Sequence, residues 1–280
     1  MPIAIPETPP VVLCFAAGDA TGGGGLPSDV LTLGSMGCHP LAVQTAAVVR
    51  DTRGADEIWP QDADVVVAQA RAVLEDIPVH AFKLGYCGSV ENIAAIAEIL
   101  SDYPDVPLVV EPALFPGVDD SPTEDVIAAL AELILPQTTL LVAGAHEVLR
   151  LAGLDADDED DTTLLSAEEA VARLVDLGVA HVLLTGGGSH GPQVVNLLIG
   201  EGGVVRTDAW ERLPGRFLGA GSTLAAAAAA ALAHGMDMDE AVAEAQDFAQ
   251  QALKHAYRAG MGLALPDRFF WARGKGVGDG

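Results

Sequence analysis

The sequence predicts an α/β fold in which a central, mostly parallel sheet is covered by helices on both faces, giving three layers. Two observations predict it. Apolar runs of strand length alternate with amphipathic stretches of helix length along most of the 280 residues. Those runs are apolar at consecutive positions, the pattern of parallel strands buried on both faces. Linkers are short, no repeat is evident and no shift of composition marks a boundary, so residues 1–280 are expected to form one domain.

Taken in order, "VVLCFAA" (11–17) reads as a buried strand, followed by a glycine turn and a helix near 27–36. "LAVQTAAVV" (41–49) is a second strand. Pro60, read as a first-turn proline, introduces a helix through "QDADVVVAQARAVLEDI", whose apolar residues fall at helical spacing. "HAFKLGY" (80–86) is a strand, Ser89 to about Asp102 a helix, and "PLVVEP" (107–112) a strand. Ser121-Pro122-Thr123-Glu124 has capping-box spacing for a helix to about Leu135. "TLLVAG" (139–144) is a strand and "AHEVLRLAG" a short helix, and the acidic run Asp155 to Asp161 reads as a solvated loop. Ser166 and Glu169 repeat the capping box ahead of the strand "HVLLTGG" (181–187). "VVNLLIG" (194–200) and "GVVRTDAW" (203–210) form a hairpin, an alanine helix follows Gly219-Ala220-Gly221-Ser222, and a last helix spans roughly 238–259.

Composition narrows the function classes. Half the residues are apolar but only 5% aromatic, so the core must be built from Ala, Val and Leu. With 14 Lys+Arg against 40 Asp+Glu the formal charge is −26, a poor match for nucleic acid. Such acidity favours solubility and is compatible with a salty habitat. Any anionic substrate must therefore be held by local backbone donors and a few cations. Cys14, Cys38 and Cys87 show no CxxC pairing and read as reduced thiols of a cytoplasmic protein. The N-terminus lacks a basic region and is interrupted by prolines, unlike a signal peptide. The alanine helix is the one long apolar run, and His234-Gly235 end it short of membrane length.

Two glycine clusters carry the chemistry. "AGDATGGGGLPSD" (17–29) lies between a strand and a helix, where open α/β sheets bind ligands, yet it fits neither the GxGxxG nor the Walker A pattern. Alone it reads equally as a flexible turn; Asp19 within it is placed to hydrogen-bond a small polar substrate. At Gly219-Ala220-Gly221-Ser222 glycines let successive N–H groups point one way, and the helix dipole adds partial positive charge, an anion hole suited to a phosphoryl group. His146 and His190 read as solvated loop residues, since no His/Cys/Asp spacing suggests zinc.

In collinear order the chain then shows "AAGDATGGGGLPSD", "GCHPLAVQTAAVVRDTRG", "KLGY" (83–86), "EPA" (111–113), "ILPQTTLLVAGAHEV", "TGGG" (185–188), "GAGS" (219–222) and "GMGLALPDRFFW". It thereby resembles the ribokinase-like superfamily, and within it the hydroxymethylpyrimidine/phosphomethylpyrimidine kinases of thiamine biosynthesis. The resemblance implies a cytoplasmic, ATP- and Mg²⁺-dependent kinase that acts on a small pyrimidine, binds neither nucleic acid nor a membrane, and forms a homodimer. It implies that Ala17, Asp19, Gly24, Arg50, Tyr86 and Ala113 line the substrate pocket and that Glu111 and Glu147 organise Mg²⁺. Thr185, Gly187, Gly219 and Gly221 would hold the nucleotide's phosphates, with Gly219, Ala220, Gly221 and Ser222 as the catalytic turn.

The chain departs from the family pattern at several of these positions. Arg50 replaces a substrate-side glutamine; it suits a phosphate or carboxylate, and otherwise reads as a surface arginine at a strand end. Tyr86 replaces a methionine and either stacks on a ring or fills core. Ala17 and Gly144 replace a glycine and an asparagine, and Glu111 an aspartate. Ser222 stands where the superfamily has Asp or Cys; an unassisted serine is a poor base, though it can donate a hydrogen bond or act as the helix N-cap. Two alternatives therefore stand beside the pyrimidine kinase: a pyridoxal-type kinase, and a catalytically weakened or silenced descendant that binds a pyrimidine or nucleotide as a sensor.

Overall fold

The computed structural model describes residues 8–114, 124–154, 164–186 and 191–273. Within them nine strands form one sheet: β1 (Val11–Asp19), β2 (His39–Arg50), β3 (Ala55–Pro60), β4 (Ala81–Leu84), β5 (Leu108–Val110), β6 (Leu140–Gly144), β7 (His181–Thr185), β8 (Gln193–Gly200) and β9 (Gly203–Glu211). Their spatial order is β3-β2-β1-β4-β5-β6-β7-β8-β9. From β2 to β7 neighbours pair in parallel, while β3 on β2, β8 on β7 and β9 on β8 are antiparallel.

Alternate residues of β1 supply two cores. Val11, Leu13 and Phe15 face one layer, which holds α2 (Ala63–Leu74), α3 (Val90–Ser101), α4 (Glu124–Ala129), α5 (Ala145–Leu151) and α6 (Leu164–Asp176). Val12, Cys14 and Ala16 face the other, which holds α1 (Gly25–Ser35), α7 (Ala220–Ala233) and α8 (Met238–Lys254). The three-layer α/β/α expectation holds. α7 is buried on every side, with Ala225 to Ala231 fully inaccessible. A helix enclosed by the sheet, α1 and α8 has no room for branched side chains, which is why its sequence is alanine.

Three local readings change. Residues 55–60 form an edge strand rather than leading into a helix: Pro60 ends β3, and Asp62 caps α2 by accepting from the Asp64 amide at 2.9 Å. A proline is tolerated there because an edge strand leaves N–H groups unpaired anyway. The last helix stops at Lys254 rather than near 259, because Tyr257 turns away to exchange both backbone bonds with Leu265 at 3.0 and 2.8 Å. And α6 begins at Leu164, so Ser166 lies inside the helix rather than at its cap. The stretch 121–123 and the acidic run 155–161 lie outside the described residues, as do Gly187 and His190. Cys14, Cys38 and Cys87 are all buried and unpaired.

Position follows from topology. After β1 the chain passes to β2 on one side and returns to β4 on the other, which opens a crevice at the carboxyl ends of the strands.

Candidate active site

Each strand that reaches this crevice ends in a polar or glycine-bearing turn. β1 bulges at Ala17, where its register against β2 shifts between Ala16 and Gly18. The bulge re-aims the strand end so that Asp19 turns back into its own loop. The Asp19 carboxylate accepts from the Thr21 amide at 2.8 Å, the Thr21 hydroxyl at 2.6 Å and the Gly24 amide at 3.0 Å. The Arg50 Nε, at the end of β2, stands 3.8 Å from Oδ2, the oxygen that the Gly24 amide bonds. Gly25 follows at φ +56°, where a Cβ would lie 2.1 Å from the Ala17 carbonyl oxygen, so the loop can close only with glycine there.

A cavity of about 250 Å³ opens above these ends. Ala17, Asp19, Gly24, Arg50, Tyr86, Glu111, Ala113, Glu147, Gly219 and Ser222 all line it, ten residues singled out from sequence. Tyr86 is packed with Ala17, Ala46, Val48 and Ile58 in a small cluster of its own, so it both fills core and forms a wall. Ala113 has φ +46°, the one positive value on a non-glycine among the described residues, and backbone strain of this kind collects at ligand sites.

A second cavity of about 330 Å³ lies on the far side of α7's first turn. Thr185, Ala220 and Gly221 line it, together with Asn196, Gln246 and Leu253 from β8 and α8. Beneath it runs a hydrogen-bonded chain. Asn196 accepts from the Gly186 amide at 3.0 Å and donates to Gln246 at 2.8 Å, and Gln246 in turn donates to Asp208 at 2.8 Å. The two cavities meet at residues 219–222. A larger hollow of about 720 Å³ lies elsewhere, over Ile127, His146 and Arg150; none of the expected site residues lines it, and it borders the ends of described segments at 124 and 154.

The shared turn is built on Gly219, which caps α7 in the left-handed conformation at φ +82°. A Cβ there would meet the Gly23 carbonyl oxygen at 1.7 Å, so the two glycine clusters touch at this point. Ser222 is consequently not the N-cap. It is the third residue of the helix, and its hydroxyl donates to Glu111 Oε2 at 3.1 Å. The cap falls to Gly219 because only glycine accepts that backbone geometry without strain.

Electrostatics under the turn involve two residues the sequence reading did not place in the site. Lys83 and Asp29, both fully buried, form an ion pair at 3.1 Å, and Lys83 Nζ also stands 3.6 Å from Glu111 Oε2. Burial lowers the Lys83 pKa, but Asp29 and Glu111 together outweigh it and hold the ammonium charged. Burial pushes Asp29 up to about 6 against the pull of Lys83, raises Glu111, and pushes Glu147 up to about 7. Glu147 accepts from the Gly144 amide at 2.7 Å. These carboxylates carry negative charge in a place that disfavours it, which is the situation a cation relieves.

Residues 19–266 match the family model described as phosphomethylpyrimidine kinase. The chain belongs to the phosphomethylpyrimidine kinase family. It is 33% identical over 278 residues to the hydroxymethylpyrimidine/phosphomethylpyrimidine kinase of Streptomyces coelicolor, covering 96% of this chain and 98% of that one. Among solved structures, the Staphylococcus aureus pyridoxal kinase in complex with pyridoxal superposes with a TM-score of 0.82 at 25% identity, covering 94% and 95% of the two chains. The phosphomethylpyrimidine kinase of Clostridium difficile 630 gives 0.72 at 25% identity, covering 87% of this chain and 99% of that one.

Within a phosphomethylpyrimidine kinase fold, the donor set suits Mg²⁺. Glu111 and Glu147 are hard oxygen donors on one cavity wall, and burial has raised the pKa of both. At Gly144 an added Cβ would clear Glu147 by 3.6 Å and Thr185 by 4.0 Å, so the missing side chain leaves space beside Glu147 rather than a collapsed wall. The longer Glu111 reaches both Ser222 and Lys83.

Proposed function

We propose that the protein phosphorylates the hydroxymethyl group of an aminopyrimidine with ATP, and then the resulting monophosphate, as a kinase of thiamine biosynthesis. The observation that carries this reading is the meeting of two cavities at one helix N-terminus. A phosphoryl donor in the 330 Å³ cavity and an acceptor in the 250 Å³ cavity would face each other across residues 219–222. Phosphoryl transfer needs little covalent help from a protein beyond such positioning and charge stabilisation.

Each residue then has a role. The N–H groups of Ala220 and Gly221, with α7's dipole behind them, stabilise the charge that develops on the transferred group. Asp19 is held rigid by three donors and is presented to the acceptor. Ser222 donates to Glu111 and keeps its lone pairs for the acceptor's hydroxyl. Losing a true general base costs about 10² to 10⁴ in rate, so a serine here fits a slow kinase. Glu111 and Glu147 are the residues that would hold Mg²⁺, which neutralises phosphate charge when bound. Thr185 lies where the phosphates would pass. The kinase is expected to work in the cytoplasm as a homodimer.

A pyridoxal-type kinase is the second reading, favoured by the Arg50–Asp19 pair and Tyr86 around the acceptor cavity. ADP release decides, measured with Mg-ATP and hydroxymethylpyrimidine, its monophosphate or pyridoxal offered separately. Turnover with the first two, abolished by Gly221→Leu, supports the proposal. Turnover with pyridoxal alone transfers it to the second reading, and binding of all three without turnover leaves a sensor.

A further inference from the structure

Arg268, near the end of the described chain, is only 4% exposed and lines neither cavity. Its guanidinium lies behind the two glycine clusters. One nitrogen donates to the Gly22 carbonyl at 3.2 Å, another to the Gly23 carbonyl at 2.7 Å and the Ser28 hydroxyl at 2.7 Å. Nε donates to the Thr223 hydroxyl at 3.1 Å, which itself donates to the Gly219 carbonyl at 2.8 Å. The fork therefore pins the carbonyls of Gly22 and Gly23 directly and that of Gly219 through one hydroxyl. In a trans peptide the C=O of one residue and the N–H of the next point in opposite directions. With those three carbonyls drawn toward Arg268, the amides that follow them point away from it: that of Gly23 donates to the Thr21 hydroxyl at 3.1 Å, that of Gly24 to Asp19 at 3.0 Å, and that of Ala220 opens α7.

Its partners are uncharged oxygens rather than a carboxylate. Burial pulls its pKa down to about 10, which leaves it charged at neutral pH. A buried cation is costly unless hydrogen bonds compensate it, and here four oxygens do so, those of Gly22, Gly23, Ser28 and Thr223. A lysine would present one nitrogen where the fork presents three. The same C-terminal segment packs on both clusters: a Cβ at Gly23 would strike Leu265 at 2.6 Å, and the Ala264 carbonyl accepts from the Leu218 amide, next to Gly219, at 2.9 Å.

We propose that Arg268 is a positioning residue for phosphoryl transfer: it locks the first glycine cluster to the mouth of α7 and fixes the direction in which their amides point. The proposal rests on the kinase reading for its catalytic consequence and on geometry alone for the lock. Arg268→Gln, Arg268→Lys and Thr223→Val are compared with the parent chain by hydrogen exchange and by steady-state kinetics. Arg268→Gln is expected to speed exchange together in peptides covering 19–28 and 217–224, leaving β5 to β7 unchanged. It should lower kcat by about 10²-fold, the scale of a misplacement near one ångström, while KM for either substrate moves by less than about threefold. Arg268→Lys recovers little, and Thr223→Val, nearly isosteric, gives a smaller change of the same kind. Should Arg268→Gln not fold, Thr223→Val reads the same link. Unchanged exchange at both turns, or faster exchange spread through the whole fold with kcat per folded molecule intact, overturns the proposal. If the parent chain turns over no acceptor, the kinase reading fails, and the exchange data still decide whether the lock exists.

Discussion

At the scale of single residues, Gly219 and Gly221 are constrained by different neighbours. Gly219→Ala must fit a Cβ against the Gly23 carbonyl in a left-handed backbone, so its activity should fall by more than about 10²-fold in the ADP-release assay. At Gly221 the added Cβ meets Glu111 Oε1 at 3.0 Å, a flexible side-chain end, and alanine should cost clearly less than leucine. Lys83→Met leaves Asp29 and Glu111 without their shared cation. It should destabilise by about 3–5 kcal/mol in urea titration, and the added Asp29→Asn should restore part of that loss. Glu147 gives a pH dependence with a definite sign. Its carboxyl is raised from 4.5 to about 7 by burial, so between those values the folded chain holds a proton the unfolded chain has released. Stability from this group therefore falls as pH rises through that window. Without divalent cation, Tm should drop more steeply between about pH 5 and pH 8 in the parent than in Glu147→Gln. Millimolar Mg²⁺ should flatten the parent's curve if Glu147 helps hold it.

At the scale of elements, α7 is the tightest constraint. Ala228 lies fully buried, so Ala228→Leu should cost about 1–3 kcal/mol by overpacking, read by denaturant unfolding. Most elements were legible in the sequence because apolar runs and helical spacing are local signals. β3 was not: "ADEIWP" has one buried residue, Ile58, and gains its strand geometry from pairing with β2. The site was legible to the same extent. Asp19 and the 219–222 turn sit in glycine-marked motifs that announce themselves locally, whereas Glu111 came only through the resemblance of "EPA" to the family's strand end. Asp29, Lys83 and Arg268 act through partners far along the chain, Arg268 and Gly23 being 245 positions apart. No spacing rule reports such a pairing; all three residues lie in stretches that carried the family resemblance, and Lys83 is also a charge within the apolar run "AFKL", but neither signal names their partners.

At the scale of the whole molecule, a charge of −26 acts on everything that approaches. Raising NaCl from about 0.05 M to about 0.5 M should raise Tm, as self-repulsion is screened, and should speed Mg-ATP association rather than slow it. Light scattering during size-exclusion chromatography tests the expected homodimer; a monomer mass at assay concentration counts against it. The partition of the two cavities has a consequence of its own. Asp19, Arg50, Tyr86 and Ala113 come from β1, β2 and the turns after β4 and β5, whereas Asn196, Gln246 and Leu253 come from β8 and α8 at the opposite side of the sheet. The two linings have no residue in common and adjoin at the mouth of α7, Gly219 and Ser222 on one side and Ala220 and Gly221 on the other. On the proposed assignment of acceptor and donor to these two cavities, one half of the molecule can be rewritten for a new acceptor while the other goes on handling the same donor, so the scaffold would diversify its substrates without relearning its fuel.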